Sequence, residues 1–471
     1  METGLIFSLR AATIAWWLFL LLAYFVFRRC IGYQQVNTFS VFLPLTLATN
    51  GILVPLSQQL NEQITAFQIT KFSDYWLGLA LMYALMPLGI LIANTFRKKR
   101  QLSDDELQHS SVVGNSGSVR IYLLVILVIS LISIGQIYAS GLGFDLYSYV
   151  TLKMDYMDYA AHRYGFAEAT QGWGYVIYNK LPYGIAPLSI IIAWNARGWA
   201  KWKKAVFLCI LAIAIMQTGH KMPLIVLAAY LVLSRALIHF HFRVSRTVIW
   251  SGLTVLLVAM LVVIPLFYMM QGEETYGSAM FWAVERIFLE PARGLQLYFE
   301  TYPAIHPFLH GTSTHAIAVL VGAKDYVTPS VYIPNQVLGI ENTSFPTLFI
   351  GEAWADFGFF GIALASIAVG FLLQIYNVWF FNQGKPQLEE VALFVSIMLS
   401  TIHLEASNLL TSLFSYGMFS SYIIYRLIRV RPASAFTTGQ LDVSGYAGPD
   451  VCANVGHSGV RGVSCSRSQQ F

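Results

Sequence analysis

The sequence predicts an all-α polytopic membrane protein with about eleven transmembrane helices. Hydrophobic residues make up 56% of its 471 residues, whereas charged residues make up only 11%. An ordinary soluble domain carries about 25% charged residues. The apolar runs are long and continuous and lack the two-residue alternation of half-buried strands. Together these observations favour helices that cross a bilayer.

Each predicted helix rests on an apolar run, since a membrane-crossing helix needs about 20 mostly apolar residues. The sixth, seventh, tenth and eleventh runs are shorter than the others. The first run lacks the basic region and cleavage site of a signal peptide, so we expect it to be retained. The eleven runs lie near residues 10–27, 37–57, 74–96, 120–139, 178–196, 203–218, 222–240, 247–270, 357–379, 388–403 and 408–426.

Lys and Arg residues concentrate on one predicted side of the membrane, which sets the orientation. The basic segments are 28–29, 97–100, 197–204, 235–246 and 426–431. Eleven crossings place all of them on the cytoplasmic side, with the N-terminus outside and the C-terminus inside. The net charge of +5 therefore indicates topology and not nucleic-acid binding.

The connecting segments predict where function lies. We expect a transmembrane domain over residues 1–431 with two large outer loops, at about 141–179 and 271–350. The tail, residues 432–471, is rich in Gly and Ser and is predicted to be cytoplasmic and disordered. The chain contains no GxxxxGK[ST] motif, which argues against a pump driven by nucleotide hydrolysis. The four cysteines have no metal-ligand spacing, and no cofactor is predicted.

Two carboxylates open the ninth apolar run, in "FPTLFIGEAWADFGFFG" (Phe345 to Gly361). Glu352 and Asp356 are four residues apart, so a helix places both on one face. A desolvated carboxyl is suited to general-base work, and both residues are therefore catalytic candidates. The alternative is that the two acids cap the helix, because acidic residues stabilise helix N-termini.

Two arginines in the second outer loop are candidates for binding an anion. Arg286 and Arg293 share a face if the helix in "VERIFLEPARGLQLYFE" is continuous, which Pro291 places in doubt. The planar guanidinium binds phosphate in a bidentate manner. The alternative is salt bridging to nearby glutamates of the same segment.

Four further residues, in three segments, are weaker candidates. His220 and Lys221 lie in "QTGHKMP", a polar hairpin tip between two short apolar runs, where Lys can contact phosphate. His403 lies in "STIHLEASN" (Ser400 to Asn408), which also holds Glu405, and is a candidate base. Arg163 stands among tyrosines of the first outer loop that favour carbohydrate stacking. A structural role is the alternative for each of them.

The stretch from Asn342 to Gly361 and the hairpin "TGHKMPL" (Thr218 to Leu224) resemble the bacterial oligosaccharide repeat-unit polymerases, the Wzy-type O-antigen and exopolysaccharide polymerases. The resemblance covers the chain up to about Arg431. It implies a GT-C-like architecture in the inner membrane and an enzyme that works at the periplasmic face. Its substrate would be an undecaprenyl-diphosphate-linked oligosaccharide that a flippase delivers, and a chain-length regulator is a further expected partner. Arg286 and Arg293 would bind the donor diphosphate, and Glu352 would be the general base.

Two other functions stay open at this point. An O-antigen ligase would use the same donor with a different acceptor. A polysaccharide transporter or flippase would have a similar apolar content, but typically shows inverted repeats and polar breaks at the bilayer midplane. In this sequence the polar breaks fall at the predicted outer boundary, and no repeat is visible.

Overall fold

The computed structural model describes residues 2–32, 35–52, 54, 72–97, 117–139, 141, 143, 181–196, 199–217, 222–239, 242–243, 245–270, 275–323, 328–340, 344–345, 347–383 and 386–429. Nearly all of the first predicted outer loop and all of the predicted tail lie outside these ranges. The chain separates into compact units between Arg429 and Val430. Only the first of these units belongs to the described residues.

The described residues are helical and contain no strand. The α-helices are α1 Glu2–Ile31, α2 Phe39–Leu47, α3 Phe72–Asn94, α4 Gly117–Ala139, α5 Ala186–Asn195, α6 Lys201–Met216, α7 Met222–His239, α8 Arg246–Val258, α9 Ile264–Met270, α10 Tyr276–Val284, α11 Glu290–Thr301, α12 His315–Leu320, α13 Pro329–Tyr332, α14 Ile350–Phe381, α15 Leu388–Ser400, α16 Leu409–Phe414 and α17 Met418–Arg429. Wider π-helical turns lie at Ala48–Ile52, Leu181–Ile185, Ala259–Val263, Glu285–Leu289 and Ile333–Val337, and a 3-10 helix covers Thr401–Glu405.

Five helices are long and apolar enough to cross a membrane, which confirms the prediction of a helical membrane protein in its coarse form. They are Ala12–Ile31, Ser73–Asn94, Val119–Ala139, Arg246–Leu266 and Ile350–Phe381, each of which coincides with a predicted run. Shorter apolar helices cover Phe39–Ile52, Tyr183–Asn195 and Leu227–His239. The predicted eleventh run is divided into α16 and α17 at Gly417, whose φ is 97°. The count of eleven crossings stays a prediction.

Helix α14 is held in the bundle by its contact with α3, the most extensive between described helices. The two backbones meet at a pair of glycines. A Cβ atom on Gly89 would lie 2.0 Å from the Ile367 carbonyl oxygen, and one on Gly370 would lie 2.2 Å from the Met86 carbonyl oxygen. Small residues at a crossing allow this approach, which is the usual basis of tight helix packing in a membrane.

Buried amides fix the rotation of α14 about its axis. The Gln374 side chain donates to Asn94 Oδ1 at 2.6 Å and to the Ile31 carbonyl oxygen at 3.1 Å. Asn377 donates to Gln374 Oε1 at 3.0 Å and accepts from the Thr38 backbone N–H at 3.1 Å. Because an unpaired buried amide is costly, this network specifies one arrangement of α1, α2, α3 and α14.

A kink separates the first two turns of α14 from its long apolar remainder. Phe357 (φ −140°, ψ 16°) and Gly358 (φ 59°, ψ −141°) both leave the helical conformation. The positive φ of Gly358 is a conformation that residues with a Cβ atom rarely adopt. The kink sets Ile350–Asp356 apart as a short amino-terminal section that carries Glu352 and Asp356.

Candidate functional site

Glu352 is a buried carboxyl held by a neutral donor. Its side chain lies in the first turn of α14 and is 7% exposed. The Asn408 side-chain amide donates to Glu352 Oε2. Within the described part of the chain, no Lys, Arg or His forms an ion pair with Glu352. A carboxyl without a cationic partner keeps the capacity to exchange a proton, which a general base requires.

Asp356, one turn further along α14, is an acceptor for the loop around residue 311. Its Oδ1 accepts from the Gly311 N–H at 3.0 Å and the Ser313 N–H at 3.1 Å, and its Oδ2 accepts from Ser313 Oγ at 2.6 Å. The backbone carbonyls of Ala355 and Asp356 accept from the N–H groups of Leu309 and His310. The geometry therefore favours an anchoring role for Asp356, which differs from both predicted roles, catalysis and helix capping.

Buried hydroxyl groups surround the Glu352 end of α14. The hydroxyls of Tyr302 and Thr347 have no hydrogen-bond partner. Thr347 lies beside Gly351, since a Cβ atom there would be 2.5 Å from Thr347 Cγ2. Burial raises the pKa of Tyr302, and the charges of Tyr332, Asp356 and Glu352 raise it further. The Trp354 indole N–H of α14 donates to the Tyr302 carbonyl oxygen at 3.0 Å, so Tyr302 lies beside this end of the helix.

Arg286 and Arg293 are both paired with glutamates, as the alternative prediction had it. Helix α10, the π-helical turn Glu285–Leu289 and α11 form one continuous helical segment, with Pro291 in the first turn of α11. Arg286 Nη1 lies 2.7 Å from Glu290 Oε1, and Arg293 Nη1 lies 2.8 Å from Glu285 Oε1. The doubt about continuity at Pro291 is thereby removed.

The two pairs differ in exposure. The Arg286 side chain is 50% exposed, whereas that of Arg293 is 13% exposed. Both glutamates are buried. Burial raises the pKa of Glu290 to about 7, although the Arg286 guanidinium opposes the shift. Arg286 is therefore the more accessible of the two arginines.

His403 is enclosed by aromatic rings. Its imidazole stacks on Tyr416 at 4.2 Å between centroids with an interplanar angle of 11°, and Tyr183 meets it edge-on at 5.3 Å. The side chain is 8% exposed. These contacts favour the alternative of a structural histidine, because the ring is packed on a face and an edge.

Glu405, two residues further, is a second buried carboxyl that sequence reasoning did not select as a site residue. It accepts from Thr46 Oγ1, from Thr49 Oγ1 at 3.0 Å and from Asn50 Nδ2 at 3.1 Å. Burial raises the pKa of Glu405 to about 7, and these hydrogen bonds oppose the shift. In the sequence, Glu405 is a single acidic residue between two short apolar runs. Its hydrogen-bond partners are more than 350 positions away, so the sequence did not indicate them.

Helix α11, the start of α14 and the 401–408 segment pack together in one part of the molecule. Leu295 of α11 lies against Gly351, next to Glu352. Phe299 of α11 stacks on Trp354 with 4.3 Å between ring centroids. The π-helical turn that contains Arg286 contacts the one that contains Asn50. The segments that carry the buried carboxylates therefore contact the segments that carry the arginine pairs.

His220, Lys221 and Arg163 lie outside the described residues, so their predicted roles stay predictions. In the part of the chain that the structure describes, no cluster of three or more His, Cys, Asp or Glu side chains is arranged to hold a metal ion. Comparison with protein-family models, with curated proteins and with solved structures finds no match for this chain. The class that the fold defines is a helical membrane protein with a buried carboxyl, Glu352, at one end of a kinked helix.

Proposed function

We propose that this protein is a membrane glycosyltransferase that polymerises lipid-diphosphate-linked oligosaccharide repeat units. The observation that carries the proposal is the Glu352 carboxyl, which is buried, held by the Asn408 amide and without an ion-pair partner among the described residues. Carboxylates at a membrane boundary are costly unless they are used. The sequence resemblance to the repeat-unit polymerases supports the same function.

In this proposal Glu352 removes the proton from a hydroxyl of the acceptor sugar. The resulting oxygen attacks the anomeric carbon of the donor sugar, and the bond from that carbon to the lipid diphosphate breaks. The lipid diphosphate leaves with the electron pair, so no nucleotide is needed. Glu352 later returns its proton to solvent or to the diphosphate, which restores the base.

Arg286 stabilises the diphosphate as it leaves. Its guanidinium is half exposed and already oriented by Glu290 at 2.7 Å. When the guanidinium binds a phosphate instead of Glu290, the Glu290 carboxylate is left buried without its ion-pair partner. Because the pKa of Glu290 is raised, the carboxylate can then bind a proton and lose its charge. Arg293, Lys221, His220 and Arg163 are further donor or glycan contacts in this proposal, and Asp356 holds the loop at residues 309–313 beside the site.

The proposal extends to the cellular setting that the sequence predicts. In this proposal the chain crosses a bacterial inner membrane eleven times with a GT-C-like architecture, and residues 271–350 lie at the periplasmic face. The N-terminus is then periplasmic and the C-terminus cytoplasmic. The substrate is an undecaprenyl-diphosphate-linked oligosaccharide, and a flippase and a chain-length regulator act beside the enzyme.

The test is the length of surface glycan in a strain that lacks this protein, with the plasmid-borne chain as the complementing control. A polymerase predicts single repeat units that remain attached to their acceptor, with long polymer restored by the plasmid. Loss of all attachment would contradict the proposal in favour of a ligase. Lipid-linked units that accumulate on the inner leaflet would contradict it in favour of a flippase.

A further inference from the structure

Both the oxygen and the nitrogen of the Asn408 side-chain amide form hydrogen bonds. Its Oδ1 accepts from the Thr411 N–H at 2.6 Å, which caps the first turn of α16. Because the oxygen is committed to this cap, the Nδ2 end of the amide faces Glu352 and donates to its Oε2. Both side chains are buried. The direction of the amide is therefore determined by the helix cap and not by Glu352.

The backbone that carries Asn408 is fixed from two sides. The Leu404 carbonyl oxygen accepts from the Phe349 N–H at 2.9 Å, which joins the 401–405 helix to the start of α14. The Glu405 carboxyl accepts from Thr46, Thr49 and Asn50, which join the same helix to α2 and the turn after it. The donor and the carboxyl it contacts thus sit on segments that are tied to each other.

We propose that Asn408 is a positioning residue that orients the Glu352 carboxyl. Its Nδ2–H group holds Oε2 in place, so that Oε1 is the oxygen that takes the proton of the acceptor hydroxyl. This inference rests on the proposed function, since it assigns Asn408 a role in the same reaction. A pre-oriented carboxylate gains rate because the reacting atoms start near their transition-state geometry.

Substitutions that keep the cap and remove the donor separate the two uses of Asn408. Ser is a good N-cap residue and Gly is tolerated there, so Asn408→Ser and Asn408→Gly should melt close to the wild type. Gly has no side-chain donor, and the Ser hydroxyl lies one bond closer to the backbone than the amide nitrogen. Neither variant therefore reproduces the Nδ2–H donor, and we expect kcat to fall about 10- to 100-fold with KM little changed. Asn408→Ala, which loses cap and donor together, is the matched control and should also melt earlier. Wild-type kcat in both cap-retaining variants would reduce Asn408 to a cap and overturn the proposal.

A second measurement does not depend on activity. Thermal unfolding of Asn408→Gly, Glu352→Ala and the double variant forms a double-mutant cycle for this contact, because each single substitution removes it. We expect the two losses to be non-additive, whereas strict additivity would overturn the contact on which the inference rests. A wild-type protein without polymerising activity would instead overturn the proposed function and the positioning role with it, while the cycle would still establish the contact.

Discussion

Two neighbouring regions of the molecule bury glutamates in opposite ways. Between residues 285 and 293, Glu285 and Glu290 each face an arginine at 2.7–2.8 Å. Around the start of α14, Glu352 and Glu405 are held by amide and hydroxyl donors. The first region pairs charge with charge, whereas the second surrounds carboxyls with neutral groups.

The two regions differ in what balances the charge of the carboxylate, an arginine in the first and neutral donors in the second. Removing one partner of a buried ion pair lowers the free energy of unfolding strongly, because the other charge is left buried without compensation. A carboxyl bound by neutral donors can take up a proton without stranding an opposite charge. The second region is therefore the one suited to proton transfer. The first region is suited to binding an anion or to stabilising the fold.

The largest effect on stability is expected where an ion pair is broken in the buried part of the first region. Arg293→Ala leaves Glu285 buried without this guanidinium, and we expect a loss of about 3–5 kcal/mol. Arg286→Ala is the matched control. Its side chain is 50% exposed and its partner can be protonated, so about 1 kcal/mol or less is expected. Thermal unfolding in one detergent measures both, and equal losses would contradict the distinction between the two pairs.

A smaller effect, dependent on pH, is expected in the second region. The pKa of Glu405 is about 7 in the folded protein and 4.5 ordinarily, so the folded state binds the proton more tightly. Stability contributed by the protonated carboxyl is present below about pH 4.5 and is lost as the pH rises towards 7. Glu405→Gln cannot ionise, and its stability should fall less between pH 5 and pH 8 than that of the wild type. The difference should be on the order of 1–3 kcal/mol.

Melting temperatures at both pH values, for both proteins in the same detergent, measure this difference. Other carboxyls titrate in the same range, Glu290 among them, and the comparison of variant with wild type cancels their contribution. Parallel curves for the two proteins would show that Glu405 carries no proton-linked stability. That outcome would remove the contrast between the two regions at this position.

Local patterns in the sequence predicted the helices but not the contacts between them. The long apolar runs predicted the ends of α3, α4 and α14 to within a few residues, with one exception. Helix α14 starts at Ile350, about two turns earlier than predicted. The arginine–glutamate pairs were among the alternatives because their partners lie within eight positions. Asn408 is 56 positions from Glu352, and Thr46 is 359 positions from Glu405. Such pairings depend on tertiary packing, which no local periodicity encodes.

The most direct test of a catalytic Glu352 is the rate of polymerisation by purified protein on a lipid-diphosphate-linked repeat unit. Glu352→Gln and Asp356→Asn, one helical turn apart, are compared in the same preparation, with thermal unfolding as the check on folding. The account predicts a loss of about 10²–10⁴-fold for Glu352→Gln, the range for a general base, and a loss below about tenfold for Asp356→Asn with a lower melting temperature. A Glu352→Gln protein that keeps the wild-type rate would contradict it.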